Sequence, residues 1–112
     1  MSADLYRQWQ RDCDLMKRAV SEASERGKDA AIKEAAYYAA KSAEVLRMKA
    51  DGYQVGIIEM TVKGSDAVSP ALLEHLCADA EYKAALKAID VYRDSARYLY
   101  DQLKREQSGD CF

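Results

Sequence analysis

Apolar and small residues recur at steps of three and four along the first half of the chain: Leu5, Trp9, Cys13, Met16, Val20, Ala23, Gly27, Ala31, Ala35, Tyr38, Ser42 and Val45. That spacing lays them along one stripe of a helix. No proline interrupts residues 2–50, and Ala30, Ala31, Ala35, Ala36, Ala39, Ala40 and Ala43 form a block of strong helix formers. Gly27 falls on the stripe. It either breaks the helix, since glycine costs about 1 kcal/mol there relative to alanine, or lets another backbone approach closely; a continuous or mildly bent helix is the favoured expectation. Asp51-Gly52 reads as its C-terminal stop, with Lys49 suited to the negative helix end.

Residues 53–62 (Tyr-Gln-Val-Gly-Ile-Ile-Glu-Met-Thr-Val) are a short apolar segment. A lone strand would have no partner in this chain, so one or two helical turns are expected, closed by Lys63-Gly64 and followed by a turn at Ser65-Asp66. Ser69-Pro70 reads as an N-cap followed by proline at the first helical position. From there to about Gln107, Ala78, Tyr82, Ala85, Ile89, Tyr92, Ala96, Leu99 and Leu103 follow alternating steps of four and three. This is a heptad-like seam in which alanines let a second helix come close.

The expected fold is therefore all-α: a long antiparallel, coiled-coil-like helical hairpin over residues 1–107, with a short helical turn in the connection (51–68) and a flexible tail (108–112). Its seam would hold Trp9, Met16, Val20, Tyr38, Tyr82, Ile89, Tyr92, Leu99 and Leu103. A bare hairpin leaves Leu15, Ala19, Tyr37, Leu46, Leu73, Leu86 and Val91 off that seam. A homodimer forming a four-helix bundle is the simplest way to cover them. Tyr37, Tyr98 and Tyr100 are the aromatic residues expected to face a partner, since exposed tyrosines are common interface anchors.

Composition adds limits. The 112 residues suffice for one modest domain. Apolar residues make up 49 % and charged residues 32 %, which argues against disorder. The net charge of -2 offers no general attraction to nucleic acid or to an anionic membrane. The halves differ: residues 1–50 carry ten Lys/Arg against eight Asp/Glu, and residues 51–112 carry seven against eleven. No apolar run approaches the roughly 20 residues of a membrane span, and the charged start is not that of a signal peptide. Three widely spaced cysteines, Cys13, Cys77 and Cys111, read as reduced thiols of a cytoplasmic protein, with Cys13 and Cys77 packed as small hydrophobes and Cys111 exposed.

Catalytic and metal chemistry have little to work with. His75 is the single histidine, and only Cys77 is close to it, two positions on and pointing elsewhere on a helix. Glu-x-x-His pairs for a di-metal centre are absent, as are phosphate-binding glycine loops and nucleophile elbows. Carboxylates and cations interleave, as in Asp90, Arg93, Asp94 and Arg97, the pattern of an ion-paired solvated face. No enzyme, cofactor or metal is expected.

The stretch Leu46…Ala50-x-Gly52-x-x-Val55-x-x-Ile58, then Val62-Lys63-Gly64-x-Asp66-x-Val68, Ala80-Glu81-Tyr82-Lys83-Ala84-Ala85-x-x-Ala88-Ile89, Arg97-x-Leu99 and Gln102-Leu103-x-Arg105-Glu106 resembles a family of small helical proteins. These are encoded by phages and prophages of Gram-positive bacteria, often among early recombination and replication genes. Pro70 and His75 stand where that family runs on in charged residues, and Gln107 replaces its terminal tryptophan. The family has no assigned activity; the resemblance implies a helical cytosolic accessory protein of a mobile element. The expected function is thus a non-enzymatic adaptor acting on a phage or host protein. Its rivals are a nucleic-acid accessory factor using Lys17, Arg18, Arg26, Lys28 and Lys33, and an inhibitor of a host enzyme using Asp79, Glu81, Asp90, Asp94 and Asp101.

Overall fold

The computed structural model describes residues 2–109 and is all-α: α1 spans Ser2–Ala50, α2 Val55–Thr61, a 3₁₀ turn Val62–Gly64, and α3 Ser69–Gln107, with no strand among the described residues. Cys111 and the rest of 110–112 lie outside the described residues. α1 passes through Gly27 without a break. Its end is a Schellman motif: Tyr53 N–H donates to Met48 O (3.1 Å), Gly52 N–H to Lys49 O (3.0 Å), and Gly52 holds φ +87°, a conformation that suits a residue without Cβ.

α3 starts at Ser69 as expected, but with Ser69 inside the helix rather than as its cap. Leu72 N–H bonds to Val68 O (3.0 Å) and Ser69 N–H to Ser65 O (2.8 Å). Ser69 is thus already helical and Pro70 is the second helical residue rather than the first. The shift costs nothing, because a proline anywhere in the first turn removes an N–H that had no partner inside the helix. The Ser65 hydroxyl donates to Val62 O (2.9 Å) and closes the preceding turn.

The chain gathers into two compact units, residues 25–82 and the chain's two end segments, up to Ser24 and from Lys83. Within residues 25–82, α1 and α3 run antiparallel: Arg26 Nη1 meets Glu81 Oε2 at 2.7 Å, and Lys33 Nζ meets Glu74 Oε2 at 3.5 Å. Positions thus rise on one helix as they fall on the other, seven residues apart on both. Ala30 and Ala78 are buried between these pairs' heights, and the Tyr82 ring packs onto the bare backbone of Gly27. Gly27 therefore serves close approach and does not interrupt the helix.

The core of this unit is Tyr37, Met48, Ile58, Val62 and Val68, with Val45, Ala71 and Leu72 packed against it. Large apolar side chains gather here, where α2 folds back over the end of α1, while the paired helix stretches rely on alanine. Full burial of a Val, Ile or Met side chain stabilises by about 1.5–3 kcal/mol, so this end carries most of the unit's apolar stabilisation.

The predicted α1 stripe departs from the structure within this unit. Ala31, Ala35, Tyr38 and Ser42 are exposed, and Tyr38 keeps 53 % of its surface. The inward positions are instead Ala30, Lys33, Tyr37, Ala40 and Glu44, alternating by three and four. Three consecutive steps of four, from Ala23 to Ala35, had carried the sequence-based stripe one residue ahead of a 3.5-residue repeat. Tyr37, expected to face a partner, is 4 % exposed and lies in the core. Cys77, expected to be packed, is exposed.

In the other unit, α1 up to Ser24 and α3 from Lys83 are again antiparallel. The Ser95 hydroxyl donates to the Asp12 carboxylate, and Trp9 packs against Tyr100 with ring centroids 6.2 Å apart. Ala19, Ala23, Ala96, Leu99 and Leu103 are buried; Trp9, Met16, Ile89 and Tyr92 are half-buried. Val20, expected in the seam, is half-exposed, and its neighbour Ala19 takes the inward place, again because the repeat steps by three from Met16. Leu86, Val91 and Tyr98 are exposed.

Candidate functional site

The most distinctive surface lies where α2 meets the end of α1. α2 (Val-Gly-Ile-Ile-Glu-Met-Thr) is apolar apart from Glu59 and Thr61. Ile58, with Val62 just beyond, enters the core, whereas Val55, Ile57 and Met60 are exposed, Met60 at 86 %. Tyr53 and Leu46 add two more exposed apolar side chains from the neighbouring turn and from α1.

Between the two helices runs a groove of about 350 Å³, with Val45 from α1 and Val55, Ile58 and Val62 from the α2 side forming its apolar floor. The latter three sit at i, i+3 and i+7, one face of a helical turn sequence. Lys41, Lys49 and Lys63 rim the groove, with Glu59 the one carboxylate among its walls. The Lys41 ammonium stands 6.0 Å from the centroid of the Tyr37 ring, within reach of a cation–π attraction.

The α1 end that holds this groove is fixed by a charged knot. Glu44 is buried; its Oε1 accepts from Arg47 Nε at 3.0 Å and also from Nη2, while Arg47 Nη1 donates to Asp51 Oδ2 at 2.8 Å. Hydrogen bonds from Arg47 hold the Glu44 carboxyl below the usual carboxylate range, and the same bonds push the guanidinium up. Arg47 lies in the last turn of α1, where a cation also meets the negative end of the helix.

His75 stacks on Tyr37, with centroids 5.5 Å apart and ring planes 11° from parallel, and its Nδ1 is buried without a hydrogen-bond partner. Its ring is packing material on the core's edge. Among the described residues, no group of three or more His, Cys, Asp or Glu side chains could hold a metal ion. No helix among them is long and apolar enough to cross a membrane.

No protein-family model matches the chain, and no curated protein or solved structure does either.

Of the residues expected to face a partner, Tyr98 is 64 % exposed and Tyr100 half-exposed, the latter between Trp9 and the Lys104 ammonium, 5.8 Å from its ring centroid. Tyr6 joins this cluster, 5.8 Å from Trp9, and accepts a hydrogen bond from Gln10 Nε2 at 3.2 Å. Of the basic residues considered for nucleic acid, Arg26 and Lys33 are engaged with Glu81 and Glu74. On the acidic side, Asp90 and Asp94 both contact Arg93, at 3.1 and 3.7 Å. Sequence reading missed the lysine-rimmed groove. Lys41 and Lys49 are eight residues apart on α1 and Lys63 follows α2; only the fold-back of α2 brings them together. The signal available was the i, i+3, i+7 pattern of Val55, Ile58 and Val62 beside lysines on both flanks.

Proposed function

We propose that this chain is a non-enzymatic helical interaction protein: a long helical hairpin that pairs with a second copy as a four-helix bundle and acts as an adaptor on another protein. With the sequence resemblance, this reading places it as a cytosolic accessory protein of a phage or prophage. The observation that carries it is the set of large apolar side chains that residues 25–82 leave in the open. Ile32 and Leu46 on α1, Leu73 and Leu76 on α3, and Met60 on α2 each keep more than half their surface exposed. Scattered apolar residues are ordinary on a monomer, but helices apolar on opposite sides ask for a second layer.

Light scattering behind size exclusion tests self-association. A dimer mass at micromolar concentration, falling to a monomer in Leu46→Glu/Leu73→Glu, is expected; a clean wild-type monomer removes the dimer from the reading. The nucleic-acid alternative loses support from the pairing of Arg26 and Lys33. Its test is a gel shift at about 50 mM salt, where a phosphate-binding protein would be near its tightest.

A further inference from the structure

We propose that the groove between α1 and α2 is a docking site for an amphipathic helical segment with acidic flanks, supplied by another protein. The floor is apolar: Val45, Val55, Ile58 and Val62. Around it stand three ammonium groups, Lys41, Lys49 and Lys63, against the single carboxylate of Glu59. None of the three lysines has an ion pair among the described residues, in contrast to Arg26, Lys33, Arg47 and Arg93, which are all paired. An apolar floor under a net positive rim is complementary to a ligand that is apolar along one line and negative on both sides of it. Basic or neutral apolar segments meet the same floor but a repelling or indifferent rim.

Length narrows the occupant. Lys41 and Lys49 are about 12 Å apart along α1 at 1.5 Å per residue. Two turns of a partner helix fit that span, presenting anchors at i, i+3 or i+4, and i+7, the usual arrangement of a helix laid in a groove. The floor does not need to form on binding, because Ile58 and Val62 are already held by the core of Tyr37, Met48 and Val68. A preformed floor spares the ordering cost that weakens peptide docking.

This inference rests on the reading of the chain as an interaction protein but not on its self-association, and the test separates the two. The probes are two fluorescein-labelled synthetic peptides of about 16 residues, with leucines at the helix-in-groove spacing and either glutamates or lysines flanking them. Each is titrated with the full chain by fluorescence anisotropy, and light scattering gives the protein's mass in the same buffer. The glutamate peptide is expected to bind at least about tenfold tighter than the lysine peptide, a difference of roughly 1.4 kcal/mol. Lys49→Glu/Lys63→Glu should reverse that order, and Val55→Asp, on a side chain 60 % exposed in the fold, should abolish binding of the glutamate peptide. Equal binding of the two peptides, or selectivity unchanged by Lys49→Glu/Lys63→Glu, overturns the proposal. So does a wild-type dimer that refuses the peptide and dissociates in that variant, because the occupant is then a second copy. Charge-selective binding by a wild-type monomer sustains the groove while removing the dimer.

Discussion

The contact between Gly27 and Tyr82 allows the packing of α1 on α3 to be tested with one methyl group. A Cβ built on Gly27 would lie 3.0 Å from Tyr82 Cε1, 3.3 Å from Cζ and 3.5 Å from Cδ1. These are atoms within the ring, so the whole ring must move for the methyl to reach ordinary carbon–carbon separations of about 3.5–4.0 Å. Two effects of Gly27→Ala therefore oppose each other. Alanine gains about 1 kcal/mol of helix propensity in a helix interior. Forcing a methyl into a filled space costs about 1–3 kcal/mol. The net expectation runs from no change to a destabilisation of about 2 kcal/mol. In a Tyr82→Ala background the ring is gone, the second effect vanishes, and the same substitution should stabilise by about 1 kcal/mol. The coupling energy of the double-mutant cycle is therefore about 1–3 kcal/mol. Urea unfolding followed by circular dichroism at 222 nm, at one fixed protein concentration because association would shift the midpoint, measures all four corners. A Gly27→Ala gain near 1 kcal/mol in both backgrounds would refute the close approach, leaving Gly27 an ordinary weak point of a solvated helix.

Two further substitutions probe the α1 end. Glu44 is held below the usual carboxylate range by Arg47, so the unfolded chain takes up its proton more readily than the folded one. The sign follows: the stability this group contributes is present above its unfolded pKa, near 4.3, and disappears as pH falls through the lower folded value. Urea midpoints between about pH 3 and pH 6 should fall more steeply for the wild type than for Glu44→Gln; parallel curves would show that the Arg47 bonds do not favour the ionised form. Adjacent tyrosines give the α1 register directly. Tyr37→Ala, which empties a core position stacked on His75, should cost about 3–5 kcal/mol, as for other large aromatic truncations. Tyr38→Ala, compared at a concentration where the protein is monomeric, should cost less than about 0.5 kcal/mol; equal losses at the two positions would contradict the observed facing of α1.

How far the sequence could reveal this arrangement depended on how much contrast each segment offers between its faces. The seam of α3 was legible, because Tyr82, Ile89, Tyr92, Leu99 and Leu103 alternate with alanines along it, although Leu86, Val91 and Tyr98 share the outer sides with Glu81, Lys87, Asp90, Asp94 and Asp101. The glycine stop at Gly52 was equally plain, since a positive φ there leaves few alternatives. α1 lost its register in the alanine block. From Gly27 a step of three or of four lands on alanine either way, Ala30 or Ala31, and the same holds from Ala36, so Ala31 and Ala35 were as acceptable as Ala30 and Ala40. Two of the α1 positions that face α3 are polar: Arg26 and Lys33 meet Glu81 and Glu74 across the seam. Such pairs are invisible to a rule that reads only apolar periodicity. Exposed ion pairs of this kind contribute about 0–1 kcal/mol each, a small addition to the burial of Tyr37 and Met48 that holds the same face inward.

The same loss of contrast carries the functional argument. A helix whose only duty is to cover one core is apolar on one face, and its register can be read from that face. Residues 30–46 and 53–62 resisted such a reading because they are apolar on two sides, and both sides have a structural counterpart. One builds the core of Tyr37, Met48, Ile58, Val62 and Val68; the other leaves Ile32, Tyr38, Leu46, Ile57 and Met60 in the open. Helix propensity can account for surplus alanine on a solvent face. It does not account for Ile32, Leu46, Ile57 and Met60, large apolar side chains whose exposure lowers solubility. Those two segments border the lysine-rimmed groove, the surface on which the proposed partner helix would dock.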